Sequence, residues 1–258
     1  MKLVLNGRMK KYVLYAIGEV VLIVFGILIA LYLNNWNIQR NNDSKEYKIQ
    51  VQLNEDYLNN LKQLEQKMKM RSDLTQAALD VLSMIDDSNS LNPDSLMPKL
   101  NQIIVDPTFD PIDNELMYTG DIRLIRNDSL KRMLSRWTSD VKQVQQVELE
   151  WQKIRTEIYI PFLIKWGHAR NLSNEAWKDS DTPIHILDSE TNDLNARLIL
   201  GQSNFSTDTN DDLFVRELEG IMSMAINANH VANLQSISLR KRILKIIELI
   251  EKEIDKNT

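Results

Sequence analysis

The sequence of 258 residues contains no cysteine. This absence excludes disulfide bonds, thiolate nucleophiles and thiolate-bound zinc. Glycine and proline are also scarce, with 7 and 6 residues respectively. Leucine, isoleucine, lysine, glutamate, glutamine and asparagine are abundant instead, and this balance favours helices over sheets. We therefore predict an all-α fold.

A concentrated positive charge is missing as well. The formal net charge is −5, and the basic residues are spread along the chain. Because proteins that bind nucleic acid need a basic patch or stripe, we expect no nucleic-acid partner. The chain also lacks a glycine-rich phosphate loop and a G-x-S-x-G nucleophile motif. We therefore expect neither an enzyme nor a bound cofactor.

The sequence offers only weak metal-binding patterns. Asp208, Asn210 and Asp212 imitate a calcium loop, but Leu213 stands where such a loop needs glycine, so a helix N-cap is the favoured interpretation. No two histidines have the spacing that places ligands on one helical face, and we expect no metal site. These histidines are His168, His185 and His230. A group of acidic residues typical of turns and caps comprises Asp106, Asp110, Asp113 and Glu115.

One long apolar run is present near the N-terminus, from Tyr12 to Leu33. Its length matches the ~20 residues that a helix needs to cross ~30 Å of hydrocarbon, and we place a transmembrane helix at residues 12–34. A cleaved signal peptide is the alternative, but the run is longer than a usual signal core, contains Glu19 and lacks an A-x-A cleavage site. An uncleaved anchor is therefore favoured. Aromatic residues typical of membrane interfaces mark its ends: Tyr12, Tyr15, Tyr32 and Trp36.

The flanking basic residues indicate an orientation. More of them precede the span than follow it closely, which favours a cytoplasmic N-terminal tail at residues 1–11. Residues 35–258 then form an extracytoplasmic domain, which we place in the periplasm, anchored in a bacterial inner membrane. The basic residues compared are Lys2, Arg8, Lys10 and Lys11 before the span, and Arg40, Lys45 and Lys48 after it.

The span has two unlike faces when it is drawn as a helix at 100° per residue. Small residues and the single carboxyl group share one face, and such residues let helices approach closely in lipid. We predict that this packing face contacts another helix; it consists of Tyr12, Ala16, Glu19, Ile23, Gly26 and Ala30. Glu19 has two interpretations: a proton or ion relay shared with a partner membrane protein, or an interhelical hydrogen bond within an oligomer. The hydrogen bond is favoured.

Three long amphipathic helices are predicted for residues 35–258. The first continues from the membrane helix and ends near residues 86–90, the second begins after Asn127, and the third runs from Asp211 or Asp212 to about Asp255. The first has apolar spacings of three and four that break between Met68 and Leu74, where we expect the helix to pass from one packing partner to another. Its inward residues are Tyr57, Leu61, Leu64, Met68, Leu74, Ala78, Val81 and Ile85.

The second and third long helices show the same spacings of three and four. Inward residues of the second are Leu130, Leu134, Trp137, Val141, Val144, Trp151, Ile158 and Phe162, and Pro161 is expected to kink its end. Inward residues of the third are Leu213, Leu218, Ile221, Met224, Ala225, Ala228, Val231, Leu234, Ile243, Ile246, Ile250 and Ile254.

The segments between the long helices are predicted to be shorter elements and loops. Residues 88–126 form an insert with two short helices, one ending near Val105 and one at residues 111–119. Residues 168–211 form a long polar connection with a helical piece at residues 192–200. Consecutive long helices should run antiparallel, which gives an elongated antiparallel bundle.

The N-terminal segment resembles a Bacteroidota membrane-protein family known as domain of unknown function 6090. Residues that carry this resemblance are Tyr12, Ala16, Ile17, Gly18, Glu19, Gly26, Leu28, Ala30, Leu31, Asn34, Asn35 and Trp36. A second matching stretch contains Phe109, Pro111, Leu116, Gly120, Leu124, Ile125, Asn127, Leu130 and Leu134, while Met117 and Tyr118 depart from the usual order. The resemblance covers nearly the whole chain and implies a membrane protein without an assigned role.

Two functional hypotheses follow. The first is a non-enzymatic envelope protein whose bundle binds, scaffolds or senses, and which associates through its membrane helix as a homo-oligomer or with a partner membrane protein. The second is an accessory subunit of an ion-coupled or transport complex that uses Glu19. Purification in mild detergent separates them, because only the second requires a polytopic partner.

Overall fold

The computed structural model describes residues 7–87, 91–112, 116–178 and 198–257. The long helices are α1 (Gly7–Asp86), α4 (Asp128–Ile154) and α7 (Asp212–Asn257). Shorter helices are α2 (Pro93–Ile103), α3 (Leu116–Thr119), α5 (Ile160–Lys165) and α6 (Ala169–Trp177), with a 3-10 turn at Asp121–Leu124 and a π turn at Arg155–Tyr159. The described residues contain no strand, and the predicted all-α fold is confirmed.

Helix α1 joins the apolar span to the bundle without a break. It has 80 residues, which corresponds to about 120 Å at ~1.5 Å per residue. Residues 11–41 are exposed, and the first buried side chain on the bundle side is Glu46. The prediction that the apolar helix and the first amphipathic helix are continuous is therefore confirmed.

The long helices do not all alternate in direction. Helix α7 packs against both others and is antiparallel to each, because Glu65 meets Arg240 while the later residue Arg71 meets the earlier residue Asn233. Helices α1 and α4 are parallel instead. Their contacts advance together along both chains, from Glu46 with Arg126 through Tyr57 with Trp137 to Arg71 with Glu148. The expected alternation thus holds for α4 and α7 but is wrong for α1 and α4.

The parallel pair requires a connection that returns along the bundle. Residues 104–112, which we call the strap, provide it by running between α1 and α4, antiparallel to both. An extended segment has no helical hydrogen bonds of its own, so its buried polar groups need other partners. Side chains of α1 supply some of them: Asn60 bonds both the N–H and the carbonyl of Ile112, at 2.8 and 3.2 Å, and Gln63 does the same for Asp110, at 3.1 and 2.8 Å.

Helix α4 binds the opposite edge of the strap. Gln145 donates to the Phe109 carbonyl at 3.1 Å, and the Trp151 indole N–H donates to the Val105 carbonyl at 3.0 Å. Phe109 itself is fully buried. The strap therefore fills the space between two parallel helices and is held by side chains from both.

Two apolar clusters form the core. The distal cluster lies at the end farthest from the span and includes Leu74, Val81, Leu100, Phe162 and Phe214. The membrane-proximal cluster includes Leu53, Tyr57, Leu64, Trp137, Leu239 and Ile250. Because the break between Met68 and Leu74 falls between these clusters, the sequence correctly indicated that α1 changes partners there.

The end of the second long helix differs from its prediction. A π turn inserts one extra residue just before Pro161, so the inward stripe moves by one position. Ile158, predicted to face inward, is 42% exposed, whereas Tyr159 is fully buried and its hydroxyl donates to the Leu100 carbonyl at 2.8 Å. The helix then ends at Lys165, ahead of Gly167 with its positive φ of 74°.

The predicted connections need correction too. Residues 169–177 form helix α6 with Leu172 buried, although the whole of 168–211 was expected to be a polar connection. Of the helical piece expected at 192–200, residues 192–197 lie outside the described residues and 198–200 are not helical. Of the helix expected at 111–119, residues 113–115 also lie outside them, and 111–112 belong to the strap. Only Leu116–Thr119 is helical there.

Helix α7 buries a narrower stripe than predicted. Its neighbours lie on one side, so residues on the opposite side remain in solvent; these include Leu213, Met224 and Leu234 at 50, 45 and 52% exposure. Phe214, Ala232 and Leu239 are buried in their place. The end of the helix at Asn257 agrees with its prediction.

Candidate functional site

The apolar part of α1 is uncovered along its whole length. It reaches a mean hydropathy of 2.6, and it is long and apolar enough to span a membrane. All six residues of the predicted packing face are exposed, and a Cβ added at Gly26 would have no atom within 4 Å. The predicted interface anchors Tyr15, Tyr32 and Trp36 are exposed as well. The packing face thus lies where a second helix has access to it, and its role stays a prediction.

The junction between the span and the bundle is tied by charged side chains. The carboxylate of Glu46 accepts from the backbone N–H of Arg126 at 2.8 Å, and the Arg126 guanidinium also pairs with Asp43. One residue later, Asn127 caps α4 and donates to Glu253 of α7 at 2.8 Å. All three long helices are therefore fastened together at the end that faces the span.

A buried ion pair separates the two apolar clusters. Arg71 and Glu148 are 1% and 5% exposed, and their side chains hydrogen-bond each other. Arg71 also donates to Asn233 at 2.8 Å and to Ser236 at 2.7 Å, both on α7. All three long helices therefore contribute side chains to a polar layer around this ion pair.

The same pair binds the backbone of the strap. Arg71 donates to the Pro107 carbonyl at 3.0 Å, and Glu148 accepts from the Phe109 N–H at 3.0 Å. Burial lowers the pKa of Arg71, and the nearby Glu148 carboxylate opposes that shift. The gap beside the pair, next to Trp151, has no room for a water molecule. The arrangement can hold the strap in register, but it presents no open cavity to a substrate.

Our reasoning from the sequence missed this pair, although a signal was present. Glu148 stands in the apolar stripe of α4, four residues after Val144 and three before Trp151, where the spacing calls for an apolar side chain. Arg71 lies inside the break in the stripe of α1. A charge of each sign at two such interruptions is the pattern that points to a buried pair.

The histidines are not brought together. His168 is 2% exposed, packs on Phe214 with 5.1 Å between ring centres, and has no hydrogen-bond partner for either ring nitrogen among the described residues. Burial lowers its pKa. His230 is exposed on α7, and His185 lies outside the described residues. Within the described ranges, no group of three or more histidine or acidic side chains could hold a metal ion.

The acidic motifs act as caps and turns in the part of the chain that the structure describes. Asp211 caps α7 by accepting from the backbone N–H groups of Leu213 and Phe214, both at 3.0 Å. Asp208 accepts from the backbone N–H of Asn210 at 3.0 Å, in a turn just ahead of this cap. Asp106 accepts from Thr108 at 2.7 Å, and Asp110 pairs with Gln63 through its backbone. Asp113 and Glu115 lie outside the described residues.

Comparison with known proteins gives one similarity. The model of a family of unknown function, DUF6090, matches residues 19–125. This range contains most of the span, the rest of α1, α2 and the strap, and it ends before α4. Less than half of the chain is matched, so the resemblance does not extend over nearly the whole chain as the sequence suggested. The chain matches no curated protein and no solved structure.

Proposed function

We propose that the chain is a non-enzymatic, single-pass envelope protein whose bundle binds, scaffolds or senses, and which associates through its membrane helix. Its span lies in the bacterial inner membrane, with residues 1–11 in the cytoplasm and the bundle in the periplasm. The observation that carries the proposal is the continuity of α1, in which one helix supplies both the uncovered apolar span and a core element of the bundle.

Continuity makes α1 a rigid connection. From Ile27 to Asp86 it contains neither glycine nor proline, the residues at which helices bend or break. Only about 20 Å of helix, at ~1.5 Å per residue, separates Leu33 from Glu46, where the bundle begins. A rotation or displacement of the span therefore moves the bundle directly, as a scaffolding or sensing role requires.

The buried polar groups support a structural role for the bundle. Arg71 and Glu148 each bind strap backbone, and they bury their charges in a layer closed to water. A catalytic acid or base needs contact with a substrate. The hydrogen bonds of this pair go to the strap backbone and to side chains of the bundle instead.

Topology is the property to test. Because the chain has no cysteine, a single Gly7→Cys or Ser223→Cys variant is labelled without background. A maleimide that cannot cross the inner membrane should label the exposed position 223 in cells with a permeabilised outer membrane, and label position 7 only after the inner membrane is broken. The reverse pattern, or a soluble protein that lacks its N-terminal residues, contradicts the proposal.

Glu19 favours a second candidate function, an accessory subunit of an ion-coupled or transport complex. It is the single charged residue between Tyr12 and Leu33, and such residues often mark ion or proton pathways. Purification of the full chain in mild detergent should then recover a polytopic partner, whose activity the variant Glu19→Gln abolishes. Recovery of copies of this chain alone counts against this candidate.

A further inference from the structure

The soluble part of α1 leaves an apolar stripe in solvent. Tyr47, Val51 and Leu58 are 37, 44 and 46% exposed, although the core of their own bundle lies beside them. Between them stands Asn54, whose Oδ1 is buried and has no hydrogen-bond partner among the described residues. Buried polar atoms normally find a partner.

The spacing of this stripe continues back through three polar residues, Ser44, Arg40 and Asn37, into the apolar span. The packing face of the span alternates steps of four and three residues from Tyr12 to Ala30, and the same alternation, carried forward without a break, arrives at Tyr47, Val51 and Leu58. Such an average step of 3.5 residues is the heptad period of a left-handed coiled coil. The complete heptad stripe is Tyr12, Ala16, Glu19, Ile23, Gly26, Ala30, Leu33, Asn37, Arg40, Ser44, Tyr47, Val51, Asn54 and Leu58.

The heptad stripe ends where its next positions contact residues of the bundle. The next two heptad positions are Leu61, which packs on the membrane-proximal cluster, and Glu65, which pairs with Arg240 at 2.7 Å. The residues of α1 that face the bundle, such as Leu53 and Tyr57, lie on a neighbouring side of the helix. One helix can therefore serve its bundle and a second partner at once.

We propose that the partner is α1 of a second copy of this chain, and that the two helices form a parallel, in-register coiled coil from Tyr12 to Leu58. This inference rests on the proposed function and names its partner. A partner must follow the heptad stripe for about 70 Å, at ~1.5 Å per residue, crossing the membrane and continuing outside it as one helix. A second α1 meets this requirement, and insertion in the same membrane sets its direction and register.

Side-chain chemistry supports the pairing. Asn54 also lies on the heptad stripe; its Oδ1 is buried against its own bundle, and a turn of the side chain away from the bundle would let it hydrogen-bond Asn54 of the second copy. Glu19 lies opposite Glu19 of the second copy, so two carboxyl groups can hydrogen-bond each other in lipid.

Disulfide cross-linking of the full chain in membranes tests the proposal. Variants Val51→Cys and Leu58→Cys place a thiol on the heptad stripe, and Gln52→Cys and Asn59→Cys place one at the next residue, also exposed but off the stripe. On oxidation we expect roughly tenfold more dimer from the first pair, because core positions face their copies. Equal yields from all four variants, or no dimer from any, overturn the proposal.

A second experiment tests the membrane half. Gly26 is on the heptad stripe and Gly18 is not, and an added Cβ has no atom within 4 Å at either. In a Val51→Cys background, Gly26→Leu should reduce the dimer yield severalfold, while Gly18→Leu leaves it unchanged. Equal effects of the two substitutions contradict the stripe within lipid.

The outcomes separate this inference from the proposed function. If position 51 forms no dimer while the chain retains its topology and co-purifies with another membrane protein, the second copy is the wrong partner and association through the span survives. If position 223 is not labelled from the periplasm, the proposed function itself fails.

Discussion

Removing the carboxylate of the buried pair should strongly destabilise the bundle. In the variant Glu148→Leu, Arg71 keeps its buried charge but loses the group that balances it. The Phe109 N–H of the strap loses its acceptor in the same step. Leucine matches the apolar neighbours of position 148, so packing alone does not predict a large loss of stability.

The expected magnitude follows from these contacts. Breaking a buried ion pair by removing one partner costs about 3–5 kcal/mol of unfolding free energy, because the remaining charge stays uncompensated. The unpaired Phe109 N–H accounts for part of this cost, since a buried unsatisfied donor costs about 1–3 kcal/mol. Adding Arg71→Met removes the stranded charge, and the double variant should therefore be less destabilised than the sum of the single variants.

Urea unfolding of the full chain in detergent provides the assay. Trp137 and Trp151 are both buried, 2% exposed, so their fluorescence reports loss of the core. The matched control is Lys69→Ala, which breaks an ion pair with Asp73 that is 2.6 Å long but exposed on the same helix. An exposed pair at this spacing contributes about 0.3–0.5 kcal/mol.

Two results would refute the reasoning. A loss below about 1 kcal/mol for Glu148→Leu means that the pair carries little of the stability expected for a buried one. Strictly additive effects of Arg71→Met and Glu148→Leu mean that the two groups do not act together.

Two further predictions concern the distal end of the bundle. Burial lowers the pKa of His168 in the folded chain, so the unfolded chain binds a proton first as the pH falls through about 6.5. The midpoint of urea unfolding should therefore drop between pH 7.5 and 5. The variant His168→Leu should remove this drop, and the control His230→Gln should retain it. Gly167 has a φ of 74°, and an added Cβ would overlap the Phe205 carbonyl, so Gly167→Ala should lower the thermal midpoint. Gly220→Ala, in an unobstructed helical position, should raise it by up to the equivalent of about 1 kcal/mol, and the opposite order would contradict this interpretation.

The sequence by itself determined the features that depend on local chemistry. A run of apolar residues of sufficient length indicates a span whatever surrounds it, and spacings of three and four indicate helices. The caps at Asn127 and Asp211 were readable because each bonds backbone N–H groups within the next three residues. The break between Met68 and Leu74 likewise marked the change of partners along α1.

Only the tertiary structure decided which helices lie beside one another. Connection length does not reveal that residues 104–112 return through the bundle, and this return makes α1 and α4 parallel. The partners of Arg71 lie between 36 and 165 residues away in the chain, so no local pattern identifies them. The exposure of Val51 and Leu58 is also a tertiary property, because it depends on which side of α1 packs against α4 and α7. A heptad spacing is visible in the sequence, but only the packed bundle shows which side of the helix remains open to a partner.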